Sequence, residues 1–186
     1  MTAFPQETAS AVSGQPVFFA VSLPKLAILS TFTLGLYNIY WFYQNWKLEQ
    51  QRSPKPFGLS PGIRAVFAPL SSYSLFKHVN VQLTGSGERP VSAGPLALAY
   101  FFLITTSRFP DPLWLVAIFS FAPLLPVQAA VNRLNQRVAP NAPLNDRYSG
   151  VNVVFIVLGA LLLALILIGL FLPPEQPLGG TPAVDI

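Results

Sequence analysis

Apolar and polar positions alternate along this chain in long blocks, and the blocks predict helices rather than strands. The first apolar block covers residues 26–43, eighteen positions that would rise roughly 27 Å as a helix, enough for the hydrocarbon layer of a bilayer. Ser22 and Pro24 stand before it as an N-cap and first-turn proline, with Lys25 at its mouth. Its end is crowded with rings: Tyr37, Tyr40, Trp41, Phe42, Tyr43 and Trp46 surround the helix, the pattern of an aromatic belt at headgroup level. Ala27, Thr31, Gly35 and Asn38 fall at spacings of four, four and three on another face. A small and polar stripe of that kind lets a second helix approach closely, with Asn38 able to hydrogen-bond across it.

A polar connector rich in prolines and basic groups follows, from Lys47 to Gly62. Residues 61–79 then read as an interfacial amphipathic helix started by Ser60 and Pro61. Arg64 and Lys77 flank too few uncharged residues for a crossing, and Ile63, Val66, Phe67 and Leu70 form its apolar face. Arg64, Ser71 and His78 lie on a neighbouring face, and the stretch after Val79 reads as a connector. Three more spans are expected at about 94–107, 113–131 and 151–172. In the third span of the chain Pro123 and Pro126 predict a kink, and they are candidates for a hinge. Gln128, Asn132 and Asn135 line one face where that helix enters the aqueous phase. The last span has 22 residues without a charge and rises roughly 33 Å. Its Ala160 and Ala164, four apart, are further helix-packing candidates. Residues 1–16 and 173–186 read as polar and proline-rich flexible tails around a single helical membrane domain, 17–172.

Composition agrees with this fold class, an all-α integral membrane protein with about four transmembrane helices and one interfacial helix. Of the 186 residues 52% are hydrophobic and 10% charged, against roughly 25% charged in a soluble domain. The mean hydropathy is +0.51. The start has no basic residue and does not read as a secretory signal. The formal charge of +4 comes from eleven basic residues scattered between apolar blocks, which fits membrane flanks and gives no basis for a nucleic-acid partner. Lys47, Arg52, Lys55, Arg64, Lys77 and Arg89 precede the second span, and Arg133, Arg137 and Arg147 precede the last. By the positive-inside rule both loops are cytoplasmic, so four crossings place both termini outside.

Candidate chemistry is sparse. There is no cysteine and one histidine, His78, so zinc and haem ligation lack residues, and no cofactor is expected. Glu49, Glu88, Asp111 and Asp146 all fall in connectors, leaving no carboxylate within a span for a proton relay. The G-S-G-E run from Gly85 to Glu88 lacks the glycine-lysine pair of a phosphate loop. Arg52, Lys55, Arg64 and Lys77 are candidates for lipid-headgroup contact, beside their role as topology signals.

The run Thr33, Gly35, Tyr37, Tyr40, Trp41, Phe42, Tyr43 resembles the T-x-G-x-Y-x-x-Y-W-F-Y signature of a bacterial inner-membrane protein family of unknown function. The stretches from Pro123 to Asn135 and from Arg147 to Val154 are similar to the same group. The resemblance implies a bacterial cytoplasmic membrane and carries no activity. The expected function is therefore a non-enzymatic structural or accessory component, associating with itself or another membrane protein in the bilayer. The alternatives are a small channel or transporter lined by Gln128, Asn132 and Asn135, and a lipid-acting enzyme dependent on His78 or Tyr148.

Overall fold

Ser22 and Pro24 start the first helix, α1 (Leu23–Phe32), but it runs for only ten residues. The chain then reverses. Leu34 and Gly35 both take left-handed conformations, with φ of 51° and 89°. The amides of Gly35 and Leu34 donate back to the carbonyls of Ser30 (2.8 Å) and Thr31 (3.1 Å), the paired bonds of a Schellman ending. Thr33 serves both sides of the break: its hydroxyl donates to Leu29 O at 2.6 Å and accepts from Tyr37 N at 2.9 Å. From there α2 (Leu36–Arg52) runs back alongside the entering chain. The computed structural model describes residues 15–53 and 58–172, so the expected tails lie almost wholly outside the described residues.

This reversal corrects the first expected span. Residues 26–43 are two helices in a hairpin, and ten residues rise only about 15 Å. The return is measurable, because Phe19 N donates to Asn45 Oδ1 at 3.1 Å and the Arg52 guanidinium lies 4.7 Å from the Phe18 ring centroid. The aromatic belt is corrected with it. Trp41, Phe42 and Trp46 are buried in the core, and of the outward rings only Tyr40 and Tyr43 are exposed.

Beyond the connector, Ser60 caps α3 (Pro61–Val66) by accepting from Ile63 N, and α4 (Ala68–Gly85) follows after a break at Phe67. The single interfacial helix expected over 61–79 is thus two helices, ending six residues later than expected. Ala65, Ala68, Ser72, Leu75, Phe76, Val79 and Leu83 pack inward, while Ile63, Val66, Phe67 and Leu70 stand exposed. The Arg64 guanidinium sets this orientation by lying over the Trp46 ring, 4.5 Å from its centroid.

Next come α5 (Ala93–Thr105), a 3-10 turn (Thr106–Arg108) and a tight turn at Asp111–Pro112. A nine-residue 3-10 stretch (Leu113–Phe121) leads into α6 (Leu124–Val138). Pro123 is the N-cap residue of α6 and Pro126 lies in its first turn. No backbone N–H is required of either there, so the two prolines mark the change from 3-10 to α-helix within the segment Leu113–Val138. The last helix, α7 (Gly150–Phe171), has 22 residues, and Ser149 Oγ accepts from Asn152 N at its start. Two segments, Leu113–Val138 and Gly150–Phe171, are long and apolar enough to cross a membrane. Among the described residues there is no strand, only an isolated bridge between Val21 and Asn145.

The core lies between α2, α4, α5 and α6, with Phe42 stacked on Phe76 and tilted against Tyr100. α7 stands outside it and packs on α1. The contact is made at Gly159, its one buried residue, where an added Cβ would come 1.6 Å from Phe32 O. Of the expected packing residues on this helix, Ala160 is half-buried and Ala164 exposed. The point of closest approach is one residue earlier, because only a residue without a side chain fits against backbone.

Candidate functional site

Residues 17–21 lie outside any helix, and such a segment leaves its backbone groups in need of partners. Here side-chain amides of α2 and α6 supply them. Asn135 Oδ1 accepts from Val17 N (2.9 Å) and Phe18 N (3.3 Å), and its Nδ2 donates to Phe18 O (2.9 Å). Gln128 Nε2 donates to Phe19 O (2.9 Å) and to Asn132 Oδ1 (2.8 Å), and Asn132 Nδ2 donates to Val21 O (2.9 Å). The Trp41 indole completes the set by donating to Gln128 Oε1 at 2.5 Å. Gln128, Asn132 and Asn135 share a helix face through their spacings of four and three, and that face is turned to protein, not to water.

A second buried polar chain ties the hairpin to the 3-10 stretch. Ser30 Oγ donates to Asn38 Oδ1 (2.7 Å), and Asn38 Nδ2 donates to Ser120 Oγ (3.0 Å). Gly35 lies beside this chain, yet a Cβ there would meet Asn38 and Ser120 only at 3.9 Å. The glycine is required for its positive φ rather than for close approach. Ala27 and Thr31, the other members of the expected stripe, are half-buried on α1.

Glu49 and Glu88 form the ion pairs among the described residues. Glu49 lies within α2, not in a connector, and is buried. Its carboxylate accepts from Arg52 Nη2 at 2.6 Å and meets His78 Nδ1 at 2.9 Å. Glu88 pairs with Arg137 (2.7 Å) and Arg133 (3.7 Å). Of the four residues expected at lipid headgroups, Arg52 and Arg64 are therefore engaged within the protein. Lys77 lies over the exposed Tyr73 ring, and Lys55 lies outside the described residues.

A cavity of about 470 Å³ lies between the hairpin, the loop 145–149 and the start of α7. Leu29, Leu36, Val151 and Phe155 form its apolar walls, and Thr33, Tyr37, Tyr40, Ser149 and Asn152 contribute polar atoms. Lys25, in the first turn of α1, and Arg147 give it positive charge. The Lys25 side chain is 3% exposed and donates to Asn145 Oδ1 (2.6 Å) and Arg147 O (2.5 Å). With the Asn152 amide turned to satisfy both its neighbours, a third oxygen lies 3.2 Å from Nζ. Burial lowers the Lys25 pKa from the ordinary lysine value, and the Asp146 carboxylate opposes that shift. Neither Lys25 nor Gly159 stood out in the sequence, since a lone lysine before an apolar block reads as a flank and a lone glycine has no periodic partner. Comparison with family models, with curated proteins and with solved structures returns no match.

Proposed function

We propose that the protein is a non-enzymatic, multi-pass component of a bacterial cytoplasmic membrane, acting as an accessory member of a larger assembly or with further copies of itself. One observation carries this reading: amides are buried while the 22 residues of α7 present leucine, isoleucine, valine and phenylalanine outward. That partition suits an apolar surrounding solvent. The amides that a channel would need are bound to the backbone of 17–21, which argues against the channel reading. Kinship with the inner-membrane family belongs to the same proposal, supported by the joint work of its signature residues: Thr33 and Gly35 make the hairpin break and Trp41 holds Gln128.

The hairpin also revises the proposed topology to three crossings, by α5, by Leu113–Val138 and by α7, with α1 and α2 re-entrant. Residues 17–21 then share the side of the basic loops, which the positive-inside rule makes cytoplasmic. The chain lacks cysteine, so single-cysteine variants report cleanly. Labelling from outside intact cells should reach Thr181→Cys and spare both Gln15→Cys and Ser86→Cys. Labelling of Gln15→Cys together with Thr181→Cys would restore four crossings and overturn the re-entrant hairpin. For the assembly itself, purification in mild detergent should yield a defined complex larger than one 20.2 kDa chain with its detergent. A uniform monomer would overturn the accessory role.

A further inference from the structure

We propose that the cavity bounded by the hairpin and the start of α7 is a binding site for one anionic lipid, its acidic headgroup held by Arg147 over the buried charge of Lys25 and its chain against Leu29, Leu36 and Phe155. The inference rests on the membrane reading above. Two kinds of surface meet in this space, and only an amphiphile with an acidic head satisfies both.

The cationic end is built rather than incidental. Lys25 is buried with its three donors directed to oxygens of Asn145, Arg147 and the turned Asn152 amide, and no carboxylate among the described residues forms an ion pair with it. It therefore leaves an unneutralised charge beneath the cavity, while the exposed Arg147 guanidinium supplies the donors. The start of α7 lies at this end, with Ser149, Val151 and Asn152 lining the cavity, and its helix dipole adds positive potential there. Asp146 is the acidic group nearby; it lines the neighbouring surface with Arg147 and offsets part of the charge, leaving the two cations in excess by one. The headgroup hydroxyls and phosphate oxygens of a lipid have further donors in Tyr37 and Tyr40.

The apolar end opens outward. Leu36, Val151 and Phe155 line the cavity and are also exposed, so its wall runs on without a break into the apolar surface of α7. A free phosphate would leave that wall uncovered, whereas an acyl chain would follow it. The site differs from the basic residues of the sequence expectation, two of which are paired inside the protein.

The test uses the full chain purified in mild detergent, with phosphatidylglycerol, phosphatidylcholine and inorganic phosphate as separate probes in native mass spectrometry. One phosphatidylglycerol should bind per chain, at least tenfold more tightly than phosphatidylcholine. Arg147→Gln, whose side chain is exposed, should weaken phosphatidylglycerol about fivefold while leaving phosphatidylcholine unchanged. Lys25→Met should do at least as much, and Lys25→Arg should restore part of the preference. Equal binding of the two lipids, or an Arg147→Gln variant with wild-type preference, overturns the site. Complete displacement by millimolar phosphate reassigns the cations to a free anion and overturns the lipid. Carbonate extraction of native membranes separates the two readings: a chain retained in the pellet keeps the membrane reading even where the lipid test fails.

Discussion

α6 and α7 invert each other. The fifteen residues of α6 carry Gln128, Asn132, Arg133, Asn135, Gln136 and Arg137, yet Gln128 is fully buried and Asn135 is 5% exposed. The 22 residues of α7 carry no charge, and Leu161 and Leu165 are 59% and 66% exposed. In water the polar helix would be outside and the apolar helix inside. Mean hydropathy therefore does not rank the two helices by burial, although α6 turns Leu124, Val127, Ala130, Val131 and Leu134 inward and leaves Arg133, Gln136 and Arg137 exposed, so what holds each helix in place differs. α6 is held by burial of those five apolar residues together with directional hydrogen bonds to residues 17–21, costly to break where the partners are buried. α7, on the membrane reading, gains little from leaving lipid for protein, and its attachment depends on close van der Waals contact at a glycine.

The contrast can be broken from either side, most severely at the glycine. Gly159→Leu would drive a side chain into the Phe32 backbone, where even a Cβ lies 1.6 Å from the oxygen. The helices must part, at a cost of about 3 kcal/mol or more, and a cysteine crosslink between α1 and α7 should disappear. Gly169→Leu, with nothing within 4 Å of its Cβ position, should leave that crosslink intact. Gln128→Leu comes next. It strands the Trp41 indole, Phe19 O and the Asn132 amide oxygen, and should destabilise the fold by about 2–3 kcal/mol in a thermal or denaturant titration followed by tryptophan fluorescence. Gly35→Ala should cost about 1–2 kcal/mol through its φ of 89° alone, without changing the size of any complex, since a Cβ has room there. Ala164→Leu, on the exposed face of α7, should fall within about 0.5 kcal/mol of wild type.

Much of this fold was legible along the chain. The helical class, the strong final helix, the Ser60 and Ser149 starts and the crowding of Asn and Gln on one face of α6 all follow from local pattern. The first span was misread because the hydropathy of residues 26–43 is nearly continuous across the break. Thr33 and Gly35 were visible there, but a threonine and a glycine just ahead of the polar Asn38 also describe an ordinary packing stripe. The pocket was less legible still. Lys25 and Arg147 are 122 positions apart, and only the parallel run of α1 beside α7 brings them together.

By itself the sequence determined the helical class and the uncharged final helix: a chain 52% hydrophobic and 10% charged, with most of its charges between apolar blocks, is driven to be helical and suits a lipid surrounding. Tertiary structure alone decided which apolar helices lie in the core, where the chain turns back and which cations are left facing a cavity. The physical reason is that hydropathy is indifferent between a lipid tail and a leucine side chain. Within such a medium, arrangement is settled by directional bonds and steric fit: a Gln128 that reaches Trp41 and Phe19, and a Gly159 that admits the backbone of Phe32.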